Sequence, residues 1–237
     1  MTTALAHPQL DVHARVLDRI TAAAERALVD GRHDLAAVLV QSAAGICALR
    51  HPGRFADERL EAVLAGCAAA LEPVAWRGGS GVLHVLSNTS QVGGQTRLAW
   101  RWMERDAGRR HAFVVPRPGG AAPEALHEAA RRTGGREHHV PGFEAGLLAT
   151  AAALRDLAAG YDLVVLHVQP NDPIASLAFA TWTDRPPVLF DDHADHCFWL
   201  GRDCADVVVG HRPVAAALTR ARRGVPAART ATLPLPL

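Results

Sequence analysis

The stretch Gly81–Trp100, GVLHVLSNTSQVGGQTRLAW, decides how this chain is read. Val82 to Leu86 form a short, nearly continuous apolar run, the pattern of a strand buried on both faces. Small polar residues follow from Ser87 to Ser90, then Gly93 and Gly94. From Thr96 a helical pattern begins, with Leu98, Ala99, Trp102 and Met103 on one face. A strand, a glycine turn and a helix in that order sit at the carboxyl edge of an open parallel sheet. Backbone N–H groups and a helix N-terminus then face a ligand.

Outward from this unit the pattern alternates. Further strands are expected over 112–115, 137–140, 162–168, 187–191, 205–210 and 230–233, and the first over 81–86. Helices are expected over 123–132, 144–159, 172–182 and 214–222, with a short one over 194–202. Such alternation predicts an α/β fold, a doubly wound parallel sheet of Rossmann-like type with right-handed crossovers. Residues 12–71 read as helices only. Val12, Val16, Leu17, Ile20, Ala24 and Ala27 share one face, and Gly31 ends that helix. Leu35, Val38, Leu39, Ala43 and Ile46 make a second, and Leu60, Val63, Leu64, Cys67 and Leu71 a third. With Pro73–Ser80 as a linker, the chain divides into a helical extension over 1–79 and a sheet domain over 80–237.

Of the 237 residues 49% are hydrophobic and 21% charged, enough apolar material for a packed core. A net charge of +1 is no nucleic-acid footprint. All 25 basic residues are arginine, which excludes a lysine Schiff base and a Walker-type lysine. Cys47, Cys67, Cys197 and Cys204 are scattered and read as reduced thiols. The opening residues lack the pattern of a signal peptide, and no apolar run reaches membrane-spanning length. A cytoplasmic protein without a transmembrane segment is expected.

In a sheet of this kind the chemistry belongs to the loops at the strands' carboxyl ends. These are Asn88–Arg97, His167–Asp172 with Asn171 among them, Asp191–His196, and His211–Arg212, all expected to converge on one cleft. The turn QVGGQTR lacks G-x-G-x-x-G spacing, and Val115-Pro116-Arg117 offers no acid for a ribose diol, which disfavours a dehydrogenase. The absence of a GK[ST] ending excludes a P-loop, and that of G-x-S-x-G argues against an esterase. What remains is a Gly93-Gly94 turn open to a ligand, with Gln95 beside it and Arg97 near for an anionic oxygen, or a plain tight turn. Asp191-Asp192-His193-Ala194-Asp195-His196 is the densest titratable cluster. A histidine beside carboxylates can act as general base or orient a hydroxyl. The alternatives are a helix start capped by Asp192 or Asp195, or a zinc site on His193, His196 and Cys197, whose spacing fits no standard finger. No metal is expected. His84 reads as a satisfied core histidine, and His167 as either core or site. Trp100, Trp102, Phe198 and Trp199 read as core.

The pieces VLHVLSNTSQVGGQTR, YDLVVLHVQPNDP, PPVLFDDHADHCFWLG, ADVVVGHR and the closing LPLPL together resemble the N-terminal half of a GT-B glycosyltransferase of the family 4 kind, across residues 81–237. The resemblance implies two Rossmann-like domains, the first taking a sugar or small-molecule acceptor and the second a nucleotide-diphosphate sugar. It places Gly93 and Gly94 against the donor diphosphate and His193 beside the reacting sugar. Arg97 and Asp192 join them from position and charge. Neither a metal nor a cofactor is implied. The E-x7-E signature that holds the donor in such enzymes is absent from this chain, which ends where a donor domain is expected. The expectation is therefore an acceptor-binding half that does not transfer sugar alone, a truncated or split enzyme whose donor domain is supplied in cis or in trans. The alternative is a non-catalytic binding or regulatory module.

Overall fold

The computed structural model describes residues 8–234, apart from the side chain of Phe143. The opening seven residues and the last three of the LPLPL close lie outside the described residues. Three helices come first: α1 (Pro8–Val29), α2 (His33–Leu49) and α3 (Glu58–Ala68). The alternating part follows as β1 (Val82–Leu86), α4 (Gly94–Arg105), β2 (His111–Val114), α5 (Glu124–Arg132), β3 (Glu137–His138), α6 (Leu147–Ala158) and β4 (Leu163–His167). It closes with α7 (Ile174–Phe179), β5 (Val188–Asp192), β6 (Val207–Gly210), α8 (Pro213–Arg223) and β7 (Thr230–Thr232). The strands form one seven-stranded sheet in the order β3-β2-β1-β4-β5-β6-β7, and every pairing is parallel. The chain is thus a Rossmann-like α/β protein with an N-terminal helical segment. The direction of winding reverses between β1 and β4, which opens a crevice at their carboxyl ends.

The two faces of the sheet are covered differently. Leu83, Val85, Ala112, Val114, Val164, Leu166, Val188, Phe190 and Val208 share a core with α1, α2, α3, α6 and α7. The apolar faces of the helical segment are therefore buried in the same core as the sheet. The other face packs Leu86 and Phe113 against Ala99 and Met103 of α4 and Leu126, Ala129 and Ala130 of α5. Burial on this scale contributes about 25 cal/mol per Å2 of apolar surface removed from water.

Several boundaries moved for identifiable reasons. Helix α6 starts at Leu147 because Gly146 has φ +87, and a short 3-10 turn occupies 143–145 instead. Asp34 of α2 accepts from the Leu148 amide at 3.1 Å and so helps cap α6 from another element. Helix α7 is only Ile174–Phe179, because the buried Arg155 guanidinium takes the carbonyls of Leu177 (3.3 Å) and Ala178 (3.0 Å) at its end. The expected helix over 194–202 is not formed. Phe198, Trp199 and Leu200 are all buried. Arg223 instead gathers the carbonyls of Ala194, Asp195 and Cys197. Among the described residues no helix is long and apolar enough to cross a membrane, and all four cysteines are free.

Candidate functional site

A cleft of about 590 Å3 opens at the carboxyl rim of the sheet. It is lined by Asn88, Ser90, Gly93, Gly94, Gln95, Thr96, Leu98, Gln169, His193 and His211. Its volume lies within the usual range for small-ligand sites. The loop between β1 and α4 is held by its own polar groups. The Ser90 amide donates to Thr96 Oγ1 at 3.1 Å, and Ser90 Oγ accepts from the Val92 amide at 3.3 Å. Gly94 opens α4 with no heavy atom within 4 Å of where a Cβ would sit, so the backbone is open to the cleft. Across the crevice, Gln169 donates to Gln95 Oε1 at 2.9 Å and to Asn88 Oδ1 at 3.4 Å, while the buried Gln95 Nε2 has no hydrogen-bond partner among the described residues. Ser87 fastens the two strands at the switch point. It accepts from the Gln169 amide at 2.8 Å and donates to the Asp172 carboxylate.

His193 stands on the opposite wall. Its Nδ1 lies 3.3 Å from the Asp191 carbonyl oxygen. A carbonyl only accepts, so the proton belongs on Nδ1 and Nε2 is left as an acceptor, the tautomer suited to a general base.

Of the residues singled out from sequence, Asn88, Gly93, Gly94, Gln95 and His193 meet in this cleft. Four others do not. Asp192 is 3% exposed and its carboxylate accepts from Thr219 Oγ1 at 2.8 Å, so it braces β5 to α8 instead of facing a substrate. Arg97 is exposed and outside the lining, because Thr96 and Leu98 take the inward positions on either side of it. Asn171 packs toward Gly45 of α2, where its Nδ2 would lie 3.4 Å from an added Cβ. His167 is fully buried beneath the cleft.

Sequence reasoning missed two features. Gln169 was inside a candidate loop without being singled out, although it bridges both walls. His167 belongs to a continuous buried row. His111 Nε2 lies 2.9 Å from the Asp106 carbonyl oxygen, and His111 Nδ1 lies 2.9 Å from His84 Nε2. His84 Nδ1 is 3.0 Å from His167 Nε2, and His167 Nδ1 is 3.0 Å from Asp191 Oδ2. Asp191 Oδ1 forms an ion pair with His211 Nε2 at 2.6 Å, off the line of a well-aligned hydrogen bond. His211 Nδ1 meets the Leu233 carbonyl oxygen at 3.1 Å. The strand register puts His111, His84, His167 and Asp191 on one face of the sheet. Period-2 alternation in each strand is the signal that could have found them.

Electrostatics follow from that row. Burial raises the Asp191 carboxyl, yet the hydrogen bond from His167 and the close ion pair with His211 outweigh it and hold the group well below the usual carboxylate range. Burial pushes His84 well below the usual imidazole range, helped by His167 and His111. For His211 burial pulls down, but the Asp191 carboxylate and the Leu233 carbonyl win and the net direction is up. Ring nitrogens spaced 2.9–3.0 Å apart are at hydrogen-bond distance, with no room for an ion between them. Among the described residues no His, Cys, Asp and Glu side chains gather in a metal-holding group. No family model matches the chain, and no curated protein or solved structure matches it either.

Proposed function

We propose that this chain is the acceptor-binding half of a glycosyltransferase that moves a sugar from a nucleotide-diphosphate sugar to a hydroxyl acceptor. A second, donor-binding domain completes the enzyme. The observation that carries the reading is the convergence of Asn88, Gly93, Gly94, Gln95, Gln169 and His193 on one polar cleft at the reversal of winding. The cleft is rich in amide donors and acceptors, which suits a polyhydroxylated ligand. His193, protonated on Nδ1, presents Nε2 to an acceptor hydroxyl. The open backbone at Gly94 and the first turn of α4 favour a negatively charged leaving group. In the reaction the acceptor oxygen bonds to the anomeric carbon, its proton passes to His193 Nε2, and the bond to the diphosphate breaks with the electron pair leaving on the diphosphate.

The test is calorimetry and saturation-transfer NMR on the intact chain with a panel of saccharides and nucleotide sugars. Saccharide binding is expected, weakened at least about tenfold by His193→Ala in a folded variant, with negligible nucleotide-sugar affinity. Tight nucleotide-sugar binding by this chain alone, or saccharide binding indifferent to His193→Ala, contradicts the reading.

A further inference from the structure

A second concave site lies where the helical segment meets the C-terminal end of α8. It is a pocket of about 450 Å3 lined by Arg54, Arg59, Arg202, Arg222 and Arg223, with Asp57 and Glu58 the two carboxylates in its walls. None of its residues lines the cleft. Three of the arginines are paired. Arg54 Nη2 holds Asp18 at 2.6 Å and Asp57 at 3.0 Å, Arg59 grips Glu25 at 2.7 Å, and Arg202 reaches Glu58 at 3.2 Å. Asp57 is further committed, because its Oδ1 caps the Arg59 and Leu60 amides of α3. Arg222 and Arg223 are left over, and among the described residues neither forms an ion pair with a carboxylate.

Arg223 is 1% exposed. Its Nη1 and Nη2 donate to the carbonyls of Asp195, Ala194 and Cys197, and its guanidinium carbon lies 4.5 Å from the Trp199 ring centroid. Its Nε is buried with no acceptor among the described residues, and so is the Nε of Arg54. Arg222 donates to the Asp195 carbonyl at 3.2 Å and sets its guanidinium 4.3 Å from the Phe55 ring centroid, a ring that Arg223 also approaches. His51 meets the same ring edge-on at 4.6 Å between centroids, and burial, with Arg222 and Arg223 adding to it, lowers its imidazole. The Gly53 amide donates to His51 Nδ1 at 3.0 Å, so the proton of the neutral ring is on Nε2, a third buried donor with no acceptor. Carbonyls and aromatic faces orient a guanidinium but bring no full negative charge. A buried cation is costly until such a charge stands beside it. Asp192 and Asp195 act on Arg223 only from a distance, their carboxylates being bound to Thr219 and Arg212. Burial pulls the Arg223 guanidinium down to about 10, so at neutral pH its charge is present.

We propose that this pocket is an anion site that takes a phosphate group, free or as a phosphomonoester, among Arg54, Arg222 and Arg223. The unpartnered groups here are all donors, and phosphate oxygens are acceptors that guanidinium groups match in geometry and charge. A phosphomonoester carries about two negative charges at neutral pH, which offsets the two guanidiniums that no carboxylate pairs. The volume falls in the range of small-molecule sites and leaves room for the organic part of an ester. The ligand bridges two parts of the chain, since Arg54 precedes α3 and Arg222 and Arg223 end α8. The site stands independently of the sugar-transfer reading, because it shares no residue with the cleft.

The experiment is 1H–15N NMR of the arginine Nε–H groups and backbone amides of the intact chain, titrated with inorganic phosphate and with glycerol phosphate at an ionic strength held constant with sodium chloride. The Nε–H signals of Arg54, Arg222 and Arg223 are expected to move and to saturate. Arg222→Gln should weaken binding about tenfold, the loss of one charge-assisted contact. Arg131→Gln on α5, which removes the same charge elsewhere, should leave it unchanged. Tighter binding of glycerol phosphate assigns the site to phosphomonoesters, and tighter binding of inorganic phosphate assigns it to the free ion. Shifts that never saturate, or that spare these three arginines, overturn the proposal. So do shifts confined to Asn88–Thr96 at the cleft, or affinity that Arg222→Gln leaves unchanged or Arg131→Gln weakens equally. The wild-type shifts name the residues, so they decide the matter even if a variant fails to fold. Phosphate binding here without any saccharide binding at the cleft leaves this site standing and removes the sugar-transfer reading.

Discussion

The two faces of the sheet make the instructive contrast. Toward α1, α2, α3, α6 and α7 it presents Leu83, Val85, Val114, Val164, Leu166 and Phe190, which do nothing but pack. Toward α4 it presents His84, His111, His167 and Asp191 in the same strands, at alternate positions. An apolar row would have been cheaper there, since a buried polar group costs free energy unless every hydrogen bond is made. The polar row is hydrogen-bonded from the Asp106 carbonyl to Asp191 and meets His211 of the cleft wall as an ion pair. On the proposed reading, stability and chemistry are divided between the faces of one sheet, and a substitution should report on one or the other.

The largest effect should come from the packing side. Phe179 of α7 is fully buried and stacks on Trp182 with centroids 6.2 Å apart. Phe179→Ala is expected to lower the unfolding free energy by about 3–5 kcal/mol in urea titrations. It should leave saccharide binding at the cleft untouched, and weakened binding by the folded variant would break the division.

On the chemical side, Asp191→Asn removes the shared acceptor of His167 and His211. A loss of roughly 3 kcal/mol at neutral pH is expected, because the buried His167 and the half-buried His211 lose the carboxylate they share. The Asp191 carboxyl is held far below its unfolded value, so its stabilisation is present above the ordinary carboxylate range and lost as the pH falls below it. The variant should therefore be less sensitive to acid than the wild type, measured as the difference in urea midpoint between neutral and acid solution.

A smaller effect of opposite sign belongs to the packing side again. Glu61 of α3 is pushed up to about 7 by burial, although it accepts from the Gly201 amide at 2.7 Å. A raised carboxyl contributes its stability in full below the ordinary range and loses it as pH rises through about 7. Glu61→Gln should match the wild type in acid and exceed it by about 1–2 kcal/mol in alkaline solution. Equal stability at both ends would show that Glu61 ionises without penalty.

The sheet was largely legible in the sequence. Val82–Leu86 and Leu163–His167 are short apolar runs flanked by turn residues, the pattern of strands buried on both faces. The Gly93-Gly94 turn and His193 were legible for the same local reason, since one lies in the loop between β1 and α4 and the other directly follows β5. What depends on distant partners was not. Asp192 and His193 are neighbours in sequence, yet Thr219 of α8 claims one and the cleft receives the other. Asn171 is drawn to α2, a helix whose docking no local pattern encodes. The histidine row needs the register between β2, β1, β4 and β5, which emerges only when the strand order is known. Residues 194–202 carry helix-like apolar spacing, and Arg223, from α8, takes the carbonyls that a helix would have used.

The most direct test of the division is amide hydrogen exchange on the intact chain, with and without a saturating mixture of oligosaccharide acceptors. Added protection is predicted at Asn88–Thr96, Gln169 and His193, with α1, α2 and α3 unchanged. Protection confined to the helical segment, with the carboxyl rim of the sheet unaffected, would contradict the account.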